Sequence, residues 1–330
     1  MNSSPRIMIA MPLFEGWEHV SETLASIRAQ TFENFRVLIS VDGGDQRSYA
    51  ACEPHLEDSR IEIVVHDRRL RWGGNMNWLA GQLREDYFCY WQHDDFCAPE
   101  YLETLTNYAD RHPRASSVYC DMKVFGTMES IVKLPSCVGF ALQRVLTQVQ
   151  HFNAAVIRCL IRADALRASL PIELASTWAF ALARAGELHR VPKLLYFRRI
   201  RPESLTHTMP KRSTQEMWRA SLDWGLGLLE QAHTLVQPNE LAQLFGMTAE
   251  FIVNRQVRGK WQYDFTKSER AERLAFVAQL LDEAKSSLGL LPYPDVEACG
   301  GTSALQNRRA SDDLWEGEDL IIDAMMTKST

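Results

Sequence analysis

Short apolar runs alternate with polar segments of helical period through the first third of the chain. "RIMIAMP" (6–12) is continuous apolar sequence ending at a proline and predicts a buried strand. "EGWEHVSETLASIRAQ" then places Val20, Leu24 and Ile27 on one helical face. "FRVLISVD" (35–42) predicts a second buried strand, broken by Gly43-Gly44, and "RIEIVVH" (60–66) a third. Gly73-Gly74 opens "NMNWLAGQL", whose Met76, Leu79 and Leu83 are spaced for packing. "YFCYWQ" (87–92) predicts a fourth strand, and "PEYLETLTNYADRH" (99–112) a helix with Pro99 suited to its first turn.

Strands alternating with helices of this length predict parallel βαβ units, an α/β fold with a doubly wound sheet. In such sheets ligands sit beyond the carboxyl ends of the strands, where strand order reverses. Asp42 ends one strand and Asp94-Asp95 follow another, so both belong to the same expected crevice. Two adjacent carboxylates at the end of a buried strand lose hydration unless something compensates. A divalent cation would compensate, because magnesium and manganese prefer carboxylate and phosphate oxygens and so hold nucleotide diphosphates. A helix cap at Asp95, shortly before Pro99, is the plainer reading of the same residues.

Beyond residue 115 the pattern loosens. "SSVYCDMKVFG" reads as strand, "FALQRVLTQVQ" as helix, and "AAVIRCLIRADAL" as strand turning into helix. "TWAFALARAG" reads as a helix stopped by Gly186, and "LHRVPKLLYFRRI" as one or two strands. Three regions follow: 1–207 with the α/β pattern, a helical extension over 208–290, and a loop-rich, partly disordered tail over 291–330. The stripes Leu222, Leu226, Leu229 and Phe251, Val253, Val257 predict packing against the first region or a second copy of the chain.

Charge and cysteine content narrow the classes. The net charge of −6 is no footprint for nucleic acid, whose phosphates need clustered Lys and Arg. Seven scattered cysteines without a CxxC pair suit a reducing cytoplasm better than a disulfide framework or a zinc site. The N-terminal apolar run is too short for a signal peptide, and no transmembrane segment is expected. No GxGxxG follows the first strand, which argues against a dinucleotide-binding dehydrogenase.

Several stretches together resemble the family 2 glycosyltransferases, nucleotide-sugar enzymes of the GT-A fold. "SIRAQTF" (26–32) and Val41-Asp42-Gly43 resemble the family's opening, "LRWGGNMNWLAGQ" its glycine-asparagine helix, and "YWQHDDFCAPEYLETL" its DXD region. "TWAFALARAGELHRVPKLLYFRRIRPESLTH" resembles the acceptor half, and the likeness covers residues 5–207. The resemblance implies a mixed sheet flanked by helices, with Pro12, Gly74, Asn75 and Asn77 lining the nucleotide pocket. It implies that Asp42 meets the nucleobase, that Asp94 meets the ribose or sugar, and that Asp95 holds manganese or magnesium, with His207 as a further metal ligand. Arg199 and Arg201 would fold over the diphosphate, since an arginine fork pairs with two phosphate oxygens. The partners implied are a nucleotide-sugar donor, UDP-sugar favoured, and a glycan or lipid-linked acceptor in surface polysaccharide or glycoconjugate assembly. The expected location is the cytoplasm, with peripheral contact at the inner face of the membrane and self-association through the C-terminal helices.

Three departures matter. The family's usual Asn after the first strand's proline is replaced in "PLFEG", with Glu15 beside it. The second Asp of the usual "VDD" is Gly43. Inverting members also place a carboxylate just before the aromatic residue that starts the acceptor helix, and here Ser176 and Thr177 precede Trp178. Inversion needs a base for the acceptor hydroxyl's proton. Glu173, a turn earlier, is the candidate base, with Trp178 as the sugar-stacking residue. A degenerate member that binds nucleotide or glycan without transfer is the alternative.

Overall fold

The structure, a computed structural model, describes residues 5–150, 154–202, 214–237 and 269–289, with isolated positions between 241 and 248. The chain forms two compact units. Residues 1–140 and 152–200 make the first; residues 141–151 and 201–330 make the second.

The first unit is built on one nine-stranded mixed sheet. Strands β1 (Ile7–Leu13), β2 (Phe35–Val41), β3 (Ile61–Val65) and β4 (Tyr87–Tyr90) are parallel, in the order β3-β2-β1-β4. They are the four apolar runs of the sequence. β1 is buried at every position, as a strand covered on both faces must be. Helices α1 (Val20–Arg28), α2 (Gln46–Cys52), α3 (Arg71–Gly81) and α4 (Tyr101–Arg111) alternate with or follow these strands. Pro12 is tolerated in the central β1 because pairing with β4 ends at Ala10, so its missing N–H costs no ladder bond on that side.

The sheet then changes direction. β8 (Leu160–Arg162) runs antiparallel to both β4 and β6 (Ala115–Gly126). β9 (Glu187–Ile200) runs parallel to β6, with register shifts around Cys120–Met122, and β5 (Phe96–Cys97) closes the edge against β9. β7 (Ser130–Val132) pairs with β6. The stretch "LHRVPKLLYFRRI" is therefore one bulged strand. α6 (Ala163–Ala168) and α7 (Ala175–Ala185) complete this unit, and α7 ends at Gly186 as its sequence requires. α3 begins at Arg71, ahead of the glycine pair.

Among the described residues of the second unit, α5 (Ala141–Gln150) joins α8 (Thr214–Ala232) and α9 (Glu269–Leu288). Leu222 and Leu229 of α8 and Leu280 and Leu281 of α9 are buried, and Arg219 bridges Asp223 and Glu283. No helix among the described residues is long and apolar enough to cross a membrane. His207, the stripe at 251–257 and the tail from 291 lie outside the described residues.

Candidate active site

The parallel strands β1, β2 and β4 end on the same side, which brings the loops after them together. Asp42 leaves β2 at that edge and is 2% exposed. Its carboxylate accepts hydrogen bonds from the backbone N–H of Leu70 (2.5 Å) and Arg71 (3.0 Å) and from Arg69 Nε (3.1 Å). Asp42 thus anchors the start of α3, where Arg71 is held at φ +61°, a conformation an L-residue adopts only under constraint. Arg69 also lies over the Phe14 ring, 3.2 Å from guanidinium carbon to centroid. Gly43, at φ +65°, makes the turn that lets Arg69 cross it; a side chain there would overlap Arg69.

The asparagines of α3 are ties within the protein. Asn77 binds Gly73 O (2.9 Å) and clamps the acceptor-side loop through Ile172 O (2.6 Å) and Ile172 N–H (2.8 Å). Asn75 donates to Ser40 O (3.0 Å), while its buried Oδ1 has no hydrogen-bond partner among the described residues. Gly74 is exposed on the first turn of α3, and Gly73 is needed for close approach, since a Cβ there would lie 2.8 Å from Glu173 O. Glu173 itself is exposed, so the clamp leaves its carboxylate at the surface of the loop. The N-terminal turn of α7 carries no acid. Trp178 is 1% exposed, donates to Ser169 Oγ (3.0 Å) and meets Trp72 edge-on. Its ring has no open face for a sugar. Trp72 in turn donates to Tyr90 OH (3.3 Å), which bonds Gln92, linking α3 to the turn that carries the acid pair.

The two carboxylates of that turn differ sharply. Asp95 is fully buried. Its Oδ2 takes hydrogen bonds from Arg158 Nε (3.1 Å) and Tyr196 OH (2.8 Å), and its Oδ1 takes the Arg199 N–H (2.9 Å). Burial pushes the Asp95 carboxyl up, and the Arg158 guanidinium opposes that push. Burial likewise works against the charge of Arg158, but Asp95 overrides it and raises Arg158 well above an ordinary arginine. Burial also pushes the Tyr196 hydroxyl well up, so it remains a donor. The cation that answers Asp95 is therefore the guanidinium of Arg158. Both Asp95 oxygens are thus already bonded within the protein, and the side chain presents no exposed surface to a metal.

Asp94 is 6% exposed. No group of three or more His, Cys, Asp and Glu side chains suited to a metal occurs among the described residues. One carboxylate completed by substrate phosphates is a sufficient divalent site. His93 sits beside it, with Nδ1 3.4 Å from Pro12 O and a buried Nε2 without partner among the described residues. Pro12 contributes its carbonyl there. Arg199 is committed to Glu22, to Asp94 O (3.2 Å) and to the Phe125 ring (4.7 Å). Arg201, expected beside it on the diphosphate, lies in the second unit.

Sequence reading finds Asp42, Asp94 and Asp95 and brings them to one edge, but misses Arg158, Tyr196 and Trp72. An available signal was the lone arginine inside the apolar run "AAVIRCLI", a buried charge that demands a partner.

Comparison with known proteins agrees with this geometry. Residues 8–167 match the model of glycosyl transferase family 2. An uncharacterized glycosyltransferase of Haemophilus influenzae is 23% identical over 119 residues, 36% of this chain and 37% of that protein. The putative glycosyltransferase EpsE of Bacillus subtilis is 24% identical over 131 residues, 38% of this chain and 46% of that protein. The match thus spans less than half the length of either relative. The structure of S. aureus TarS 1–349 in complex with UDP-GlcNAc superposes with a TM-score of 0.61 at 16% identity, covering 98% of this chain and 90% of that one. A longer TarS structure gives the same TM-score at 14% identity, over 54% of its chain. At these identities the likeness is one of fold, a mixed sheet of GT-A type.

Proposed function

Through residues 8–167 the chain belongs to glycosyl transferase family 2, and from that premise we propose that it transfers a sugar, with inversion, from a nucleotide-sugar to a hydroxyl acceptor. UDP-sugar is the favoured donor, and a glycan or lipid-linked acceptor met at the inner face of the membrane is the favoured acceptor. The observation that carries this reading is the division of labour at the end of β4. Asp95 is locked by Arg158, Tyr196 and the Arg199 N–H, and that lock fixes the turn presenting Asp94.

In this reading Asp94 would hold manganese or magnesium, which would neutralise the donor diphosphate. Asp42 sets the base-binding edge by fixing Arg69 and the start of α3. Glu173 takes the acceptor proton, delivered to the crevice by the clamp of Asn77 on Ile172. The absence of an acid in the first turn of α7 favours a second reading, a member that binds donor without transfer.

The test is thermal stabilisation by UDP, GDP, CDP and dTDP, each with manganese and with EDTA. A ligand that binds only the native state raises its apparent stability. One diphosphate should stabilise the wild type in manganese and fail to stabilise Asp94→Asn. No shift from any of them would remove the donor reading. Transfer assays with that nucleotide's sugars then separate the two readings: Glu173→Gln should lose transfer while keeping nucleotide binding, and unchanged transfer would remove Glu173 as the base.

A further inference from the structure

Trp72, Tyr90 and Gln92 form a chain of hydrogen bonds whose polarity is fixed by chemistry. An indole N–H can only donate, so the 3.3 Å contact from Trp72 Nε1 makes the Tyr90 hydroxyl oxygen an acceptor. Tyr90 is 2% exposed, and burial pushes its hydroxyl up, so it keeps its proton. That single hydrogen goes to Gln92 Oε1. Turning the amide over would set N–H against O–H and take away the acceptor of the Tyr90 hydrogen. The Gln92 amide is therefore held with its oxygen towards Tyr90 and its Nε2 hydrogens pointing away. The relay starts from a packed ring, since Trp72 meets Tyr90 edge-on at 6.1 Å and Trp178 edge-on at 6.5 Å. Gln92 is part-buried, and among the described residues its Nε2 has no hydrogen-bond partner. Unlike the orphaned Nε2 of His93, it is not sealed from solvent. An oriented donor left open in this way suits an acceptor atom that the protein does not supply.

We propose that Gln92 selects the transferred sugar by donating a hydrogen bond to one of its oxygens, and that Trp72 is the positioning residue that fixes this polarity. This rests on the donor reading above. Gln92 lies two residues before Asp94 on the same turn, which that reading gives to the diphosphate. Trp72 lies beside Gly73, whose close approach to Glu173 O adjoins the loop of the proposed base. The sugar passes between diphosphate and acceptor, and the relay joins the segments that carry those two groups. A sugar oxygen there meets a donor already aimed, so little side-chain freedom is lost on binding. A sugar with no oxygen in that position leaves the amide unpaired and binds more weakly.

The experiment is calorimetry in manganese on wild type, Gln92→Ala, Gln92→Glu and Trp72→Phe. Each is titrated with UDP, GDP and dTDP, and with UDP-glucose, UDP-galactose, UDP-N-acetylglucosamine, GDP-mannose and dTDP-glucose. The quantity read is the affinity for a nucleotide-sugar relative to that for its own diphosphate. For the nucleotide-sugar that wild type binds best, this ratio should fall about tenfold in Gln92→Ala, with diphosphate binding unchanged. Gln92→Glu has the same reach and, ionised, no hydrogen to give, so its ratio should fall at least as far. Trp72→Phe keeps a ring and loses the N–H, which frees the amide to turn over, so its ratio should fall by less than that of Gln92→Ala. A ratio kept by Gln92→Ala or by Gln92→Glu would overturn the proposal and leave the donor reading standing. Equal loss of diphosphate and nucleotide-sugar would do the same and mark Gln92 as structural. A lower melting temperature in Trp72→Phe with the ratio kept would remove Trp72 as the positioning residue. A wild type that binds a diphosphate and none of these nucleotide-sugars overturns the sugar contact, and one that binds no diphosphate overturns both readings.

Discussion

Asp94 and Asp95 are neighbours in sequence and opposites in physical role. Asp95 has two donors on one oxygen and a backbone N–H on the other, and its partner Arg158 is 11% exposed at the side chain. Removing one member of a buried ion pair leaves the other charged and unpaired, at a cost of about 3–5 kcal/mol. Asp95→Ala should therefore lower unfolding free energy by about that amount in a urea titration. Asp94→Asn keeps a hydrogen-bonding side chain of the same shape at that position, so its stability should stay within about 1 kcal/mol of wild type. Nucleotide binding should nonetheless be lost. A destabilised Asp94→Asn, or an Asp95→Ala of wild-type stability, would reverse the assignment of the two acids.

At the scale of elements, the crevice is assembled by ties that cross between segments. Asp42 fixes the start of α3, and α3 carries Gly73 and Asn77, which hold the loop ending at Glu173. A methyl group at residue 73 would lie 2.8 Å from Glu173 O and 3.1 Å from Ile172 O, both backbone atoms that cannot rotate away. Gly73→Ala should push this loop from α3 and cost about 1–3 kcal/mol of stability, the usual penalty of overpacking. Transfer should fall at least tenfold while diphosphate binding is kept, because the displaced group is the proposed base and not part of the proposed donor site. Loss of diphosphate binding in Gly73→Ala would show that the loop serves the donor instead. The strands and helices that carry these ties are legible in the sequence, since each apolar run or helical stripe states its own burial. The ties are not. Arg158 pairs with an acid 63 residues earlier, and Asn77 with a loop 95 residues later. No local period encodes such a pairing. For the same reason Trp178 invites a sugar-stacking role in sequence, whereas the fold covers it with Trp72 and Ser169.

At the scale of the whole molecule, the two ends of the sheet are built for different purposes. The end that carries Asp42, Asp94 and Asp95 holds charges in costly positions, the buried Asp95–Arg158 pair among them. The opposite edge is closed by ion pairs that stabilise. There Arg36, at the start of β2, bonds Glu85 just before β4 through Nε at 2.5 Å and a second nitrogen at 3.3 Å. The Arg84 N–H adds a third bond to Glu85 at 2.9 Å, and the two side chains are 14% and 6% exposed. Burial works to raise Glu85, but the bonds from Arg36 and the Arg84 N–H outweigh it, and its pKa is lowered. Asp58 and Asp110 are lowered too, chiefly by hydrogen bonds from Arg60 and Arg6, but the Arg6–Asp110 pair is too exposed to count for much. A carboxylate whose folded pKa is depressed stabilises the fold fully above its unfolded value, near 4.3 for glutamate. That contribution fades as pH falls through the folded value, because the unfolded chain takes up the proton first. Glu85→Gln abolishes this titration. At pH 7 the variant should therefore unfold at lower urea than wild type. The gap should hold constant down to about pH 5 and narrow steadily below about pH 4 as wild type loses the ionised partner of Arg36. Urea midpoints for both proteins across that range decide the matter. A gap that widens in acid would mean that Glu85 is held against its charge, with burial outweighing Arg36, and that this edge too carries a cost rather than a support.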